Sequence, residues 1–304
     1  MIWSAVALVA LAALLCVTIL PGLAERSFNR RTGERLPAVS PAAEDLHRSL
    51  LVADLHADTL LWNRSLLRRA SRGHVDLPRL REGNVSLQVF SAVIKTPRGQ
   101  NYDSNSGETD ALKPLVIAQL WPPAAWSGLE ARAVYQAERL RRAAQRSRGD
   151  LVLVSSRRDL DAFLARRDEG SRAVAGLLAI EGLQALEGDI AAVDRLYGEG
   201  YRMMGLTHFY DNEVGGSAHG VEKGGLTSFG RRVVHRMEEL GIVVDLAHAS
   251  PGLISSVLAE VERPVVVSHT GVQATCPGSR NLSDAQIRAI AANGGVMGVG
   301  YWDG

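Results

Sequence analysis

Eight short runs rich in Val, Leu and Ile recur along this chain, at residues 50–55, 85–94, 151–154, 173–180, 201–206, 242–247, 264–268 and 296–301. They are near-continuously apolar, so as strands they must be buried on both faces. Between most of them lie stretches with apolar residues at helical spacing, at 129–146, 159–167, 190–197, 229–240, 251–261 and 284–293. Thr227 and Ser283 are placed as N-caps, and Ser250-Pro251 reads as an N-cap followed by proline at the first helical position. Alternation of this kind predicts a parallel sheet covered by helices. About eight units in one domain favour a (β/α)8 TIM-type barrel over an open sheet. No Gly-rich dinucleotide fingerprint follows the first strand, which weakens the doubly wound alternative.

The N-terminus departs from this pattern. Residues 2–20 carry no charge, and at about 1.5 Å per residue the run is just long enough to cross ~30 Å of hydrocarbon. Two readings compete: a single-pass anchor, with Trp3 at one interface, and a cleaved signal peptide with Gly22-Leu23-Ala24 as its cleavage site. The run is long for a signal peptide and no basic residue precedes it, so the anchor is favoured. Arg26, Arg30, Arg31 and Arg35 follow the run, a bias that argues for a cytoplasmic main domain. The expected organisation is a membrane segment over 1–24, a linker over 25–44 and a barrel over 45–304. Lys+Arg 34 against Asp+Glu 33 leaves a charge of +1, which gives no field to draw nucleic acid. The two cysteines, Cys16 and Cys276, make neither a disulfide framework nor a thiolate metal site.

Five different strands end in a metal-capable or acid–base side chain. LLVADLHAD ends in His56 and Asp58, AVAGLLAIEG in Glu181, YRMMGLTH in His208, GIVVDLAH in His248 and PVVVSH in His269. In a barrel these ends meet at one mouth, the face that carries active sites. A lone histidine at a strand end is more often a satisfied polar residue than a ligand, but that reading must explain five strands ending alike. His56 and Asp58 are two apart and share a strand face, and Asp54 shares that parity one step deeper, where it could orient a ligand. Asp245, three before His248, should face the other way and receives no role. His47, His74, His219 and His235 fall in predicted helix or loop and are read as ordinary. Imidazoles with carboxylates suit zinc or a similar ion, and there are enough donors for two ions bridged by a carboxylate.

Here the residues resemble the membrane (renal-type) dipeptidases, zinc peptidases with a (β/α)8 barrel. The resemblance runs from about residue 51 to the C-terminus through DLHADTLLW, AIEG, LTH, GIVVDLAHAS and SHTGVQATCPGSRN, in that order. It implies that His56 and Asp58 bind the first of two zinc ions, Glu181 bridges both, and His248 and His269 bind the second. It further implies that His208 stabilises the tetrahedral oxyanion and that Arg280 holds the substrate carboxylate. The implied reaction is hydrolysis of dipeptides, some with a C-terminal D-residue, by a hydroxide bridging the two zincs; some members also open β-lactam rings. The family has a further strand, ending in an aspartate, and C-terminal helices. Asp303 does not match that aspartate, so the barrel is expected to lack its last stave. The resemblance leaves a homodimer open.

Two other readings stand beside this one. One is a different two-metal barrel hydrolase, acting on cyclic amides or phosphotriesters with a carboxylated lysine as bridge, for which Lys95 is the lysine beside a strand end. The other is an inactive, membrane-tethered homologue that keeps the fold.

Overall fold

The computed structural model describes residues 2–30 and 37–301; Arg31, Arg35 and Asp303 lie outside the described residues. All eight predicted strands form: β1 Val52–Ala57, β2 Val85–Val93, β3 Leu151–Leu153, β4 Val174–Glu181, β5 Tyr201–Gly205, β6 Val243–Asp245, β7 Val266–Thr270 and β8 Val296–Val299. Every pairing is parallel, in the order β1-β2-β4-β5-β6-β7-β8. The result is a near-closed α/β barrel. β3 pairs only with the start of β4, Leu151 to Leu153 against Val174 to Gly176, while β5 pairs with β4 from Leu178 onward. β3 is therefore an accessory element, and among the described residues seven staves make the wall. Among the described residues β8 and β1 are not paired with each other.

The helices are α1 Ile2–Phe28, α2 Pro41–Ser49, α3 Leu77–Glu82, α4 Leu112–Ala118, α5 Leu129–Arg146, α6 Arg157–Asp168, α7 Ala191–Gly198, α8 Ser228–Leu240, α9 Pro251–Leu258 and α10 Asp284–Ala292. The three expected caps form. Thr227 accepts from the Gly230 N–H, Ser250 from that of Leu253 ahead of Pro251, and Ser283 makes a capping box with Gln286. Helices α7 to α9 turn Val193, Leu196, Val233, Met237, Leu253 and Val257 inward, where all six are buried under the sheet.

The expected linker is partly structured, because residues 25–28 continue α1 and 41–44 open α2. The end of α1 docks on the loop after β1. Glu25 lies 3.5 Å from Arg64 and 3.6 Å from Arg72, the Arg72 guanidinium donates to the Gly22 carbonyl at 2.9 Å, and the Phe28 ring is 6.1 Å from that of Trp62. Among the described residues no helix is long and apolar enough to cross a membrane. The run expected as an anchor includes side chains outside the described residues, those of Ile2, Ala5, Val9, Ala10, Ala12 and Ala13.

Arg132 of α5 ties the rim of the barrel together. Its side chain is fully buried and donates to the carbonyls of Ala125 (2.8 Å), Ile94 (2.8 Å) and Trp126 (3.1 Å) and to Asp110 (2.7 Å). Removing it takes a donor from three carbonyls and the cation from the partly buried Asp110 carboxylate. Arg132→Met is expected to cost ~3–5 kcal/mol, read as a lowered urea midpoint at pH 7.

Candidate metal centre

Glu181 is the last residue of β4, and only 5% of its surface is exposed. The next residue is Gly182 at φ +89°, where a Cβ would lie 2.3 Å from the Gln184 side chain, so glycine permits the turn that presents the carboxylate. Four imidazoles converge on it. His248 Nε2 lies 3.0 Å, His269 Nε2 3.3 Å and His56 Nε2 3.6 Å from Oε1, while His208 Nε2 lies 3.2 Å from Oε2. His248 and His269 approach each other to 3.1 Å between Nε2 atoms, and the rings of His56 and His269 are 3.8 Å apart.

All six strand-end residues thus meet at one mouth, with differences from the sequence expectation. Asp58 follows β1 at φ −83°, ψ 25°, outside the strand, yet its Oδ1 is 3.0 Å from His56 Nε2. Asp54 accepts from the backbone N–H of His56, not from its ring. Among the described residues, two three-residue groups have donor atoms close enough to hold an ion: His56, Glu181 and His269, and Glu181, His208 and His248. The family resemblance pairs Asp58 with His56, and His269 with His248. Glu181 is common to both groups, as a bridging carboxylate must be.

The electrostatics suit a cation. Burial pushes the Glu181 carboxyl up, against the pull of His208. Burial pushes His248 and His269 well below the ordinary histidine range, with Arg280 adding to it, so both are held neutral, the form in which imidazole ligates a metal. Burial also lowers His208, opposed by Glu181. For His56 burial is outweighed by Glu181 and Asp58, which lift it to about 9. His56 alone is thus favoured as a cation beside Glu181, while the other three rings are pushed toward the neutral form; a carboxylate withdrawn from water is costly unless positive charge joins it. Both cysteines are exposed, so the donor set is oxygen and imidazole nitrogen alone.

His248 sits at φ +63°. That left-handed conformation costs an L-residue of order 1–2 kcal/mol, and its carbonyl is fixed by the Ala218 N–H (2.8 Å) and the Thr207 hydroxyl (3.2 Å). Arg280 is buried, donates to the His269 carbonyl, and is lowered by burial to about 10 despite Glu181. A cleft of about 1330 Å3 opens over these residues. Tyr102, Phe209 and Phe28 line it, and it runs on into the gap between β8 and β1 through Val52 and Val296.

The sequence profile of the membrane dipeptidase family, peptidase family M19, matches residues 41–303. The chain belongs to that family. Dipeptidase 3 of Mus musculus is 27% identical over 286 residues, which take in 86% of this chain and 49% of the relative. Dipeptidase aclJ of Aspergillus oryzae is 29% identical over 272 residues, 85% of this chain and 58% of the relative. The chain spans about half the length of the curated relatives it matches. A solved metallopeptidase from Rhodobacter sphaeroides, liganded with a phosphinate mimic of the dipeptide L-Ala-D-Ala, is 25% identical with a TM-score of 0.64, covering 82% of this chain and 73% of its own. M19 membership agrees with the ordered strand-end motifs read in the sequence.

Sequence reasoning passed over His219, which is buried beside this site. Its Nδ1 lies 3.0 Å from the Tyr102 carbonyl, and its ring stacks on Phe209 at 4.9 Å. A loop position gave no periodic signal that could have marked it. Burial lowers it to about 4, outweighing the Tyr102 hydrogen bond, whereas an unfolded histidine titrates near 6.5. Between those values the unfolded chain takes up a proton that the folded one refuses, so this residue's contribution to stability is lost as pH falls. His219→Asn, which keeps an N–H for Tyr102, is expected to lose less stability than wild type between pH 6.5 and 4. Urea midpoints measured across that range check it; parallel pH curves for the two proteins would refute it.

Proposed function

We propose that this chain carries the metal and substrate site of a zinc-dependent dipeptidase. The observation that carries the reading is one buried carboxylate, Glu181, with four imidazoles within 3.0 to 3.6 Å at the C-terminal mouth of the barrel. In this reading His56 and Asp58 hold one zinc, His248 and His269 hold the other, and Glu181 bridges them. When bound, the two ions supply a water nucleophile of lowered pKa and positive charge beside the scissile carbonyl. His208 offers a ring nitrogen to the developing oxyanion; it faces Oε2 of Glu181, whereas the other three histidines face Oε1. Arg280 presents a guanidinium to the substrate carboxylate, which selects short peptides with a free C-terminus. The phosphinate dipeptide mimic bound by the Rhodobacter sphaeroides protein supports a dipeptide as substrate class, a D-residue in second place included. A carboxylated-lysine bridge is disfavoured, because the Lys95 ammonium donates to the Gly107 carbonyl at 2.6 Å and lies over the Tyr210 ring.

Elemental analysis is expected to give about two zinc per chain, with fewer in Glu181→Gln. The wild type is expected to cleave L-Ala-D-Ala far faster than its C-terminal amide. A folded protein that binds no zinc sinks the reading; zinc without turnover turns it into an inactive homologue.

Membrane attachment through the N-terminal run is part of the same proposal. Residues 2–20 are uncharged, α1 is continuous from Ile2 to Phe28, and Leu8, Leu11, Leu14, Leu15, Ile19 and Leu20 are exposed on several sides of it. The uncharged run over residues 2–20, rather than the whole of α1, is the part that lipid would cover. The full chain is expected in the carbonate-resistant membrane fraction, and a chain starting at Glu25 is not. A mature N-terminus near Glu25 in the expressed protein would establish the signal-peptide reading instead.

A further inference from the structure

Asp245 has no place in the site as described so far, yet it ends β6 in the layer beneath it and is buried. Its two oxygens do different things. Oδ1 accepts the backbone N–H groups of Ala247 and Ser268, both at 2.9 Å, which ties the end of β6 to β7. Oδ2 accepts the hydroxyl of Ser268. The same hydroxyl oxygen lies 2.9 Å from Nδ1 of His269.

The order of donors follows from this arrangement. A carboxylate accepts only, so the Ser268 proton is committed to Asp245. The Ser268 oxygen is then left to accept, and its partner Nδ1 must carry the imidazole proton. Nε2 of His269 is therefore the bare nitrogen, and it is the atom that faces Glu181 and His248. Nδ1 of His56 and of His248 has no hydrogen-bond partner among the described residues, so His269 is distinguished from them by this relay.

We propose that Asp245 is a positioning residue that sets the tautomer of His269 through Ser268 and so makes Nε2 available to a metal ion. The inference rests on reading His269 as a ligand. Its mechanism belongs to the metal-free chain, and can be tested there.

The discriminating variant is Asp245→Asn. Its side-chain oxygen must stay on the two backbone N–H groups, which puts the amide nitrogen in the place of Oδ2. That nitrogen donates to Ser268, the Ser268 proton turns to His269 Nδ1, and the ring proton moves to Nε2. Long-range nitrogen–proton NMR on the full, metal-free chain with labelled histidine is expected to show His269 as the Nδ1–H form in wild type and the Nε2–H form in the variant. In chelator competition, zinc affinity at one of two sites is expected to fall by about 10- to 100-fold, with the second site kept. Should Asp245→Asn fail to fold, Ser268→Ala keeps both backbone clamps on Oδ1 and removes only the hydroxyl, and the same loss of affinity at one site is expected. An unchanged tautomer in Asp245→Asn, or unchanged affinity in Ser268→Ala, overturns the proposal and leaves Asp245 a strand tie. The tautomer readout holds whether or not dipeptides are substrates, so failure of the relay and failure of the dipeptidase reading are told apart.

Discussion

A carboxylate taken out of water at the end of β4 is the constraint on which the rest depends. Glu181 is tolerable there only if positive charge or proton donors surround it, and no single element can supply them. The four imidazoles come from the ends of four other strands, β1, β5, β6 and β7, or the turns just beyond them. Barrel geometry and site geometry are thus one requirement. A one-residue slip in β1 or β7 would turn His56 or His269 to the other face and leave the carboxylate short of a partner.

Much of this was legible in the sequence because strand ends are legible. Runs such as the one ending in Glu181 are apolar until the mouth and polar at it, and a parallel barrel gives that change one meaning. The helices α5 to α10 were equally plain. Short helices were not: α3 and α4 offer too few turns for a period to show. Asp58 joined the site although it left the strand, so the parity argument reached the right neighbour through the wrong geometry. Parity misled for Asp245. Counting back from His248 assumes that the strand continues to it, but β6 stops at Asp245 and His248 sits in a left-handed turn beyond. Side-chain direction after that point carries no period of two.

The N-terminal region shows a different limit. Composition marked an apolar segment and a polar connector, but composition does not say where a helix ends. Pairing Glu25 with Arg64 and Arg72 requires knowing that the loop after β1 folds back toward α1, which is tertiary information. The cleft reflects the same dependence, since Phe28 at the close of α1 lines the mouth together with residues of the strand ends.

The carbonyl of Tyr102 accepts from His219 and from the Ser279 hydroxyl, while the His219 carbonyl accepts twice from Asn105. Three loops, those after β2, β5 and β7, thereby hang on the carbonyls of Tyr102 and His219. Their disorder cannot be gained piecemeal: loosening one removes the partner that keeps another in place. The entrance to the cleft should therefore breathe as a single mechanical unit, with its opening a concerted event rather than the sum of three independent loop motions.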